Sequence, residues 1–395
     1  MSLAPNPLHI PELVEHCIGL LAENLYGWPR RLALMSCALV ARSWVNAAQS
    51  ALLRAPHMTN HLLSDEDRSE RLLVLLHETL HNFPHLTHHI RDLSLDVIVD
   101  CLITQTTLDN ICALPFTHLE SVSLFLRKDL DYESALQQLF SHSTLLRIKL
   151  DTPVSNLLFF AEIWNHCSPK LRHLELFARF NLWHPHWHRN DPTCSVPIQL
   201  ESLQMVFERN EGLAYLKDAD VYPWALYPFD LSHLKALSIR DQKGVPLERF
   251  VKTIRVLDVY DTAGEQAIDL STFPNLSVLR ISLNESISPT MLSALSTVAS
   301  SSIRTIIIDL NFYDGIRGYR RSLRKSEYPA LDSILSTLPM PNPPTIEFEV
   351  TVNENSTHET VMKSFPALKA QDILRLVPRR EDVSDTWWKD LVDSV

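Results

Sequence analysis

Apolar residues between positions 10 and 53 recur at helical spacing and separate into three short runs. The first run carries two neighbouring apolar stripes, although a surface helix needs only one. One stripe contains Leu13, Cys17 and Leu20, and the other contains Ile10, Val14 and Ile18. Because a unit of this size is near the lower limit for burying a sufficient core alone, one stripe is predicted to pack against something outside these helices.

A second pattern begins near residue 90, where the motif L-x-x-L-x-L recurs with Ile, Val or Met replacing some leucines. Successive copies start between 20 and 34 residues apart. Each L-x-L pair is predicted to be a short strand with two side chains in a shared core, because alternate residues of a strand face the same side. The copies begin at Ile90, Leu119, Leu145, Leu171, Leu200, Leu234, Ile254, Leu276 and Ile303, with a weaker strand at residues 346–350.

This motif resembles the leucine-rich repeat, whose units are about 20–29 residues long. The resemblance implies an α/β fold with parallel strands on a concave face and helices and loops outside. The Asn or Cys that the family carries beyond the strand occurs only at Asn284 and Asn311. An irregular solenoid is therefore expected. The alternative is an ordinary α/β domain that is rich in leucine.

The first 54 residues resemble the F-box, a small helical motif that docks on a Skp-type adaptor in cullin-based ubiquitin ligases. The resemblance rests on Pro11-Glu12-Leu13 and on the block L-V-A-R-S-W that ends at Trp44. It implies adaptor contacts by Ile10, Pro11, Leu13, Val14, Ile18, Leu39, Val40 and Trp44. The alternative is that the helices only cap the repeats, as terminal repeats require. Exposure of the stripe formed by Ile10, Val14 and Ile18 is expected to separate these interpretations.

Length and these patterns predict four regions in the 395 residues. They are an F-box-like domain at 1–54, a helical linker and cap at 55–88, the repeats at 89–352, and a C-terminal cap and tail at 353–395. A net charge of −11 argues against a general nucleic-acid binder. Six scattered cysteines without a C-x-x-C pair indicate buried, reduced thiols. No signal peptide or membrane span is expected, which favours the cytoplasm or the nucleus.

The function indicated by both resemblances is non-catalytic substrate recognition in an SCF-type ubiquitin ligase, with a Skp-type adaptor, a cullin and a protein substrate as partners. No catalytic residue, cofactor or metal is expected, because glycine-rich phosphate loops and common hydrolase motifs are absent from the sequence. The substrate is expected on the inner strand face, where aromatic and arginine side chains dominate binding energetics. The residues concerned are Phe125, Arg147, His173, Phe177, Arg240, Tyr260 and Arg280. The alternatives are a merely solvated sheet face and a repeat scaffold unconnected with ubiquitin.

Three further segments contain clusters of histidine, basic or aromatic residues that neither resemblance explains. His184, His186 and His188 alternate in a way that suits zinc or copper, although the flanking tryptophans favour a loop held by aromatic packing. Residues 313–328 form a local positive patch suited to carboxylates or a phosphorylated peptide, unless they are only a solvated face. The long insertion between the Leu200 and Leu234 units contains Tyr215, Tyr222, Trp224 and Tyr227 and is expected either to line the substrate site or to anchor on the outer helices.

Overall fold

The computed structural model contains two compact units, residues 1–171 with 178–196 and residues 172–177 with 197–395. The structure describes residues 10–24, 27–54, 57–58, 66–97, 102–126, 132–154, 163–180, 197–209, 229–239, 251–260, 268–283, 288–298, 303–309, 311–314, 319–322, 327–338, 344–350 and 362–378. None of the helices in these ranges is long and apolar enough to cross a lipid bilayer.

The first unit begins with three helices and continues as alternating strands and helices. The helices are α1 (Pro11–Asn24), α2 (Gly27–Val40), α3 (Arg42–Leu53), α4 (Glu66–Asn82), α5 (Leu102–Cys112) and α6 (Glu133–Phe140), with a 3-10 helix at Pro84–His89. The strands are β1 (His57–Met58), β2 (Asp92–Val97), β3 (Ser121–Leu126) and β4 (Arg147–Val154). Each strand pairs in parallel with the next, in chain order.

The second unit contains strands in the order β5-β7-β9-β10-β11-β12-β15-β16, and only residues 173–177 of β5 belong to it. These strands are β5 (His173–Phe180), β7 (Ser202–Arg209), β9 (Ala236–Ile239), β10 (Val256–Tyr260), β11 (Val278–Ser282), β12 (Thr305–Asp309), β15 (Thr345–Val350) and β16 (Leu374–Pro378). The pairs from β7 to β16 are parallel. Two small ribbons are β6 (Ile198–Gln199) with β8 (Phe229–Asp230), and β13 (Asn311–Asp314) with β14 (Tyr319–Ser322). The helices are α7 (Pro289–Ser296), α8 (Tyr328–Ser336) and α9 (Pro366–Ala370), with a 3-10 turn at Leu270–Thr272.

A backbone carbonyl just before each strand joins one repeat to the next. In the first unit the carbonyl of Arg91 accepts hydrogen bonds from the N–H groups of Glu120 and Ser121. In the second unit the carbonyl of Arg255 accepts from Ser277 and Val278 in the same way. The leucine or isoleucine that opens each motif is buried beside this carbonyl, at 0–3% exposure. The motif therefore recurs because each copy must satisfy the same backbone groups and fill the same core position.

The three N-terminal helices join the strands through this same hydrogen-bond pattern. The carbonyl of Arg54, at the end of α3, accepts from the N–H groups of Arg91 and Asp92 at 3.0 and 2.9 Å. Strand β1 then pairs with β2, with His57 opposite Ser94. The chain that leaves α3 thus occupies the position of a preceding repeat and covers the edge of β2, which would otherwise present unpaired backbone groups.

The predicted α/β class, with N-terminal helices followed by irregular leucine-rich-repeat strands, is confirmed. All ten predicted strands are present, each as part of a parallel sheet. Strands β1 and β16 were not predicted, because neither follows a full L-x-x-L-x-L motif. The domain boundaries predicted at residues 54, 88 and 352 concern independent folding and stay predictions.

Candidate functional site

The three N-terminal helices share a small apolar core. It consists of Val14 and Ile18 on α1, Leu34 on α2 and Ala48 on α3, each at most 2% exposed. Val14 and Ile18 are therefore buried within the three helices, because their i, i+4 spacing directs both side chains between α2 and α3. The adaptor contacts predicted for these two residues stay a prediction. Trp44 is half-buried and packs against this core, so it supports the helices.

The opposite sides of the same helices carry exposed apolar residues. Leu39 is 88% exposed and Val40 is 62% exposed at the end of α2. The remaining members of this apolar surface are Leu13 and Leu20 on α1, and Leu32 and Met35 on α2, at 45–54% exposure. Pro11 is exposed and Ile10 is half-buried. Large exposed apolar side chains concentrated on two helices mark an interaction surface more often than a solvated one.

The inner strand face of the second unit is largely buried. Ala236, Val256, Val278 and Ile307 form an apolar cluster there, on neighbouring strands, with at most 4% exposure. These residues alternate with the leucines of the motif, so they face the opposite side from the main core. A small cavity on this face is lined by residues of β5, β7, β9 and β10.

Arg280 lies in the middle of this buried face and is engaged by acidic side chains. Its guanidinium lies 3.6 Å from Asp258, 3.2 Å from Asp309 and 2.8 Å from Glu349. These carboxylates are on three different strands and are at most 3% exposed. Ser238 donates a hydrogen bond of 2.8 Å to the Asp258 carboxylate. The Arg280 side chain is itself only 12% exposed, so this predicted substrate contact lies inside a network that ties the strands together.

The inner face of the first unit is more open. Phe125 and Arg147 are half-buried on β3 and β4. The ammonium group of Lys149 lies 5.6 Å from the centre of the Phe125 ring, within the range of a cation–π interaction. Within the described ranges, the Arg147 guanidinium makes no hydrogen bond or ion pair, and its Nε atom is buried.

The remaining predicted substrate contacts are only partly described. His173 and Phe177 are half-buried on β5, and the His173 ring lies 3.1 Å from the Ser202 hydroxyl. Tyr260 ends β10, paired with Ser282, but its side chain lies outside the described part. Arg240 lies wholly outside it. The substrate-contact role of all these residues stays a prediction.

The sequence reasoning did not identify the acidic partners Asp309 and Glu349. Each follows the second apolar residue of its strand motif, so the same alternation that located Arg280 also places them on the inner face. What the alternation does not show is which neighbours meet. Strand register decides this, since Asp309 lies opposite both Ser282 and Glu349.

The cysteines and histidines in the described ranges form no site of three metal-ligating residues. Burial raises the pKa of Cys112 to about 12, with Asp109 adding to the effect, so this thiol stays protonated. Cys17 is exposed, which corrects the expectation that the thiols are buried. The rings of His77 and His81 lie 5.7 Å apart on α4. The segment containing His184, the insertion at 210–228 and the side chains of 313–326 lie outside the described part.

No family model matches this chain, and no curated protein matches it. Among solved structures, it is similar to the leucine-rich repeat-containing protein LegL7 from Legionella pneumophila. That similarity covers 80% of this chain and 93% of that chain, at 12% sequence identity and a TM-score of 0.36. The fold assignment rests on the strand order, the register and the repeated hydrogen bonds of this chain itself.

Proposed function

We propose that this repeat protein acts as the non-catalytic substrate-recognition subunit of an SCF-type ubiquitin ligase. The N-terminal helices would hold a Skp-type adaptor, and through it a cullin, while the repeats hold a protein substrate. The chain would work in the cytoplasm or the nucleus. Its contribution would be proximity, because a substrate held beside a conjugating enzyme reacts at a much higher effective concentration.

The observation that supports the adaptor role most directly is the exposure of Leu39 and Val40. These residues begin the L-V-A-R-S-W block on which the resemblance to the F-box rests, and they are 88% and 62% exposed. Burying a leucine side chain against a partner is worth about 1.5–3 kcal/mol relative to leaving it in water. The apolar surface around Leu39 therefore offers a partner a favourable contact that the helices do not use themselves.

The test is binding of the full-length chain to a purified Skp-type adaptor, measured by calorimetry. Leu39→Asp should weaken binding at least about tenfold, because a carboxylate would be buried at the contact. The matched control is Leu75→Asp, since Leu75 is also a helical leucine and is 57% exposed on α4. Trp44→Ala is a poorer probe, because Trp44 packs against the core of the three helices and its loss would test folding.

A second candidate function is a repeat scaffold without any link to ubiquitin, in which the N-terminal helices only cap the sheet. The observation that favours it is the Arg54 carbonyl, which accepts from Arg91 and Asp92 as the carbonyls of the repeats do. Capping and docking use different sides of the helices, so the two roles are compatible. If the wild-type chain does not bind the adaptor, or if Leu39→Asp binds it as well as wild type, the ubiquitin role is wrong and the scaffold role remains.

A further inference from the structure

Residues 77–81, near the end of α4, read H-E-T-L-H. The H-E-x-x-H spacing is therefore present, which corrects the expectation that common hydrolase motifs are absent from the sequence. This spacing places two histidines one turn apart on the same side of a helix, where both imidazoles can bind one metal ion. His77 and His81 do lie side by side on α4, with their ring centres 5.7 Å apart.

The separation of the two rings is close to the one that a shared metal ion requires. Zinc lies about 2.1 Å from each imidazole nitrogen, so tetrahedral geometry holds the two ring centres about 5.2 Å apart. The observed 5.7 Å exceeds this value by only about 0.5 Å, which small side-chain rotations can close. His81 is exposed and His77 is half-buried, so an ion from solution can reach the pair.

The position of the pair on α4 also favours a bound cation. The helix ends at Asn82, so His81 lies in its last turn, at the negative end of the helix dipole. Glu78 follows His77 directly and is exposed, so it adds a negative charge close to the pair. Both features attract a cation to the same end of α4.

We infer that His77 and His81 bind a divalent transition-metal ion, of the kind that imidazole ligands suit, such as Zn²⁺ or Cu²⁺. Within the described ranges, no group of three His, Cys, Asp or Glu residues includes the pair. Catalytic zinc sites use three protein ligands, so the inference is a binding site and not a hydrolytic centre. Water fills the remaining coordination positions. The inference does not depend on the proposed role in a ubiquitin ligase, and it differs from the expectation that the chain binds no metal.

A bound ion is expected to stabilise the end of α4. The two imidazoles can share one ion only while this turn is helical, so metal binding favours the folded state. The helix packs against α5, the 3-10 helix at Pro84–His89 and β2. The ion would therefore strengthen the part of the first unit that follows the three N-terminal helices and precedes the repeats.

The experiment is a Zn²⁺ titration of the full-length chain labelled with carbon-13 at histidine Cε1, followed by two-dimensional NMR. Separate signals distinguish the pair from the other members of the 18 histidines. Loss of a signal in His77→Asn and in His81→Asn assigns the two resonances. Both are expected to shift together and to saturate at the same Zn²⁺ concentration. The control is His16, an exposed histidine on α1 without a second histidine one turn away, which should need at least about tenfold more Zn²⁺ because a single imidazole holds the ion.

A matched variant keeps the number of histidines and changes only their spacing. His81→Asn combined with Asn82→His moves the second imidazole one residue along α4, to a different side of the helix from His77. Both changed positions are exposed, so the fold should be retained, which circular dichroism checks. The Zn²⁺ affinity at His77 should fall at least about tenfold. Zn²⁺ should also raise the thermal unfolding midpoint of wild type more than that of this variant.

Three results would overturn the inference. The first is that His77 and His81 respond only at the Zn²⁺ concentration that His16 needs, which would mean adventitious binding by separate rings. The second is a variant with the shifted histidine that binds Zn²⁺ as tightly as wild type. The third is a His77→Asn variant in which the His81 signal saturates at an unchanged Zn²⁺ concentration, because the two rings would then not share an ion.

Discussion

The inner strand faces of the two units each carry an arginine, but the surroundings of the two side chains differ. In the second unit, Arg280 is surrounded by Asp258, Asp309 and Glu349 on neighbouring strands, and the face around it is buried. In the first unit, Arg147 is half-buried among hydroxyls, and its guanidinium makes no ion pair with the described residues. The first arrangement ties neighbouring strands together through ion pairs, whereas the second adds no ion pair among the described residues.

The difference teaches that position on the inner face does not by itself indicate a binding residue. Both arginines follow from the same alternation of motif leucines and inner-face residues. A desolvated guanidinium needs compensation, which carboxylates of the same chain or an external anion can supply. The carboxylates opposite each arginine therefore decide its role. Phe125 and Arg147 are consequently stronger candidates for substrate contact than Arg280.

The largest effect is expected from Arg280→Gln. Removing the guanidinium would leave three buried carboxylates without it, and loss of one partner of a buried ion pair typically costs about 3–5 kcal/mol. Urea unfolding of the variant and of Arg91→Gln should show this difference, because Arg91 and Glu120 form only an exposed pair. A stability within about 0.5 kcal/mol of wild type would contradict the structural role of Arg280.

An intermediate effect is expected from Ser238→Ala. The hydroxyl donates to the buried Asp258 carboxylate at 2.8 Å, and a hydrogen bond to a charged group contributes about 1.5–3 kcal/mol. Ser123→Ala is the matched control from the open face, since Ser123 is a half-buried serine at an inner-face position. Its free energy of unfolding should change by less than about 0.5 kcal/mol. Equal losses in the two variants would remove the distinction between the faces.

Arg147→Gln is expected to leave stability unchanged or slightly higher, within about 0.5 kcal/mol. The reason is that the substitution removes a partly desolvated charge that has no carboxylate partner in the described part of the chain. Urea unfolding of the full-length variant and of wild type is the appropriate measurement. A loss above about 2 kcal/mol would mean that the guanidinium supports the fold, as Arg280 does.

The smallest change in stability is expected from Lys235→Met. Lys235 and Glu201 form a partly exposed ion pair just before two of the strands. The hydrogen bond from Lys235 lowers the pKa of Glu201, so the substitution should raise that pKa toward its ordinary value. A depressed carboxyl pKa contributes stability above the unfolded-state pKa, and that contribution is lost as pH falls through the folded-state pKa. Because both side chains are about two-fifths exposed, at 42% and 38%, the stability change should be below about 1 kcal/mol. An NMR titration of Glu201 that shows no rise in pKa would contradict the contact.

The regular spacing of apolar residues along the chain predicted most of the fold but only part of the candidate site. Leu203 and Leu279 occupy core positions at 1% exposure, as their place in the motif predicts, because a strand alternates sides regardless of its neighbours. Val14 and Ile18 show the limit of the method. Helical spacing placed them on one stripe, but only the packing of α2 and α3 shows that this stripe is the inner one.

The order and type of the N-terminal helices and of the ten motif strands were determined by the local sequence alone. Periods of two and of about 3.6 residues act within a few neighbouring residues, so they need no knowledge of the rest of the chain. Tertiary structure alone decided which side chains meet across strands. Glu349 reaches Arg280 from 69 positions away, through strand pairing that no local pattern specifies. The same kind of pairing places Ser121, a residue without charge, opposite Arg147 on β3, and no local pattern specifies that neighbour either.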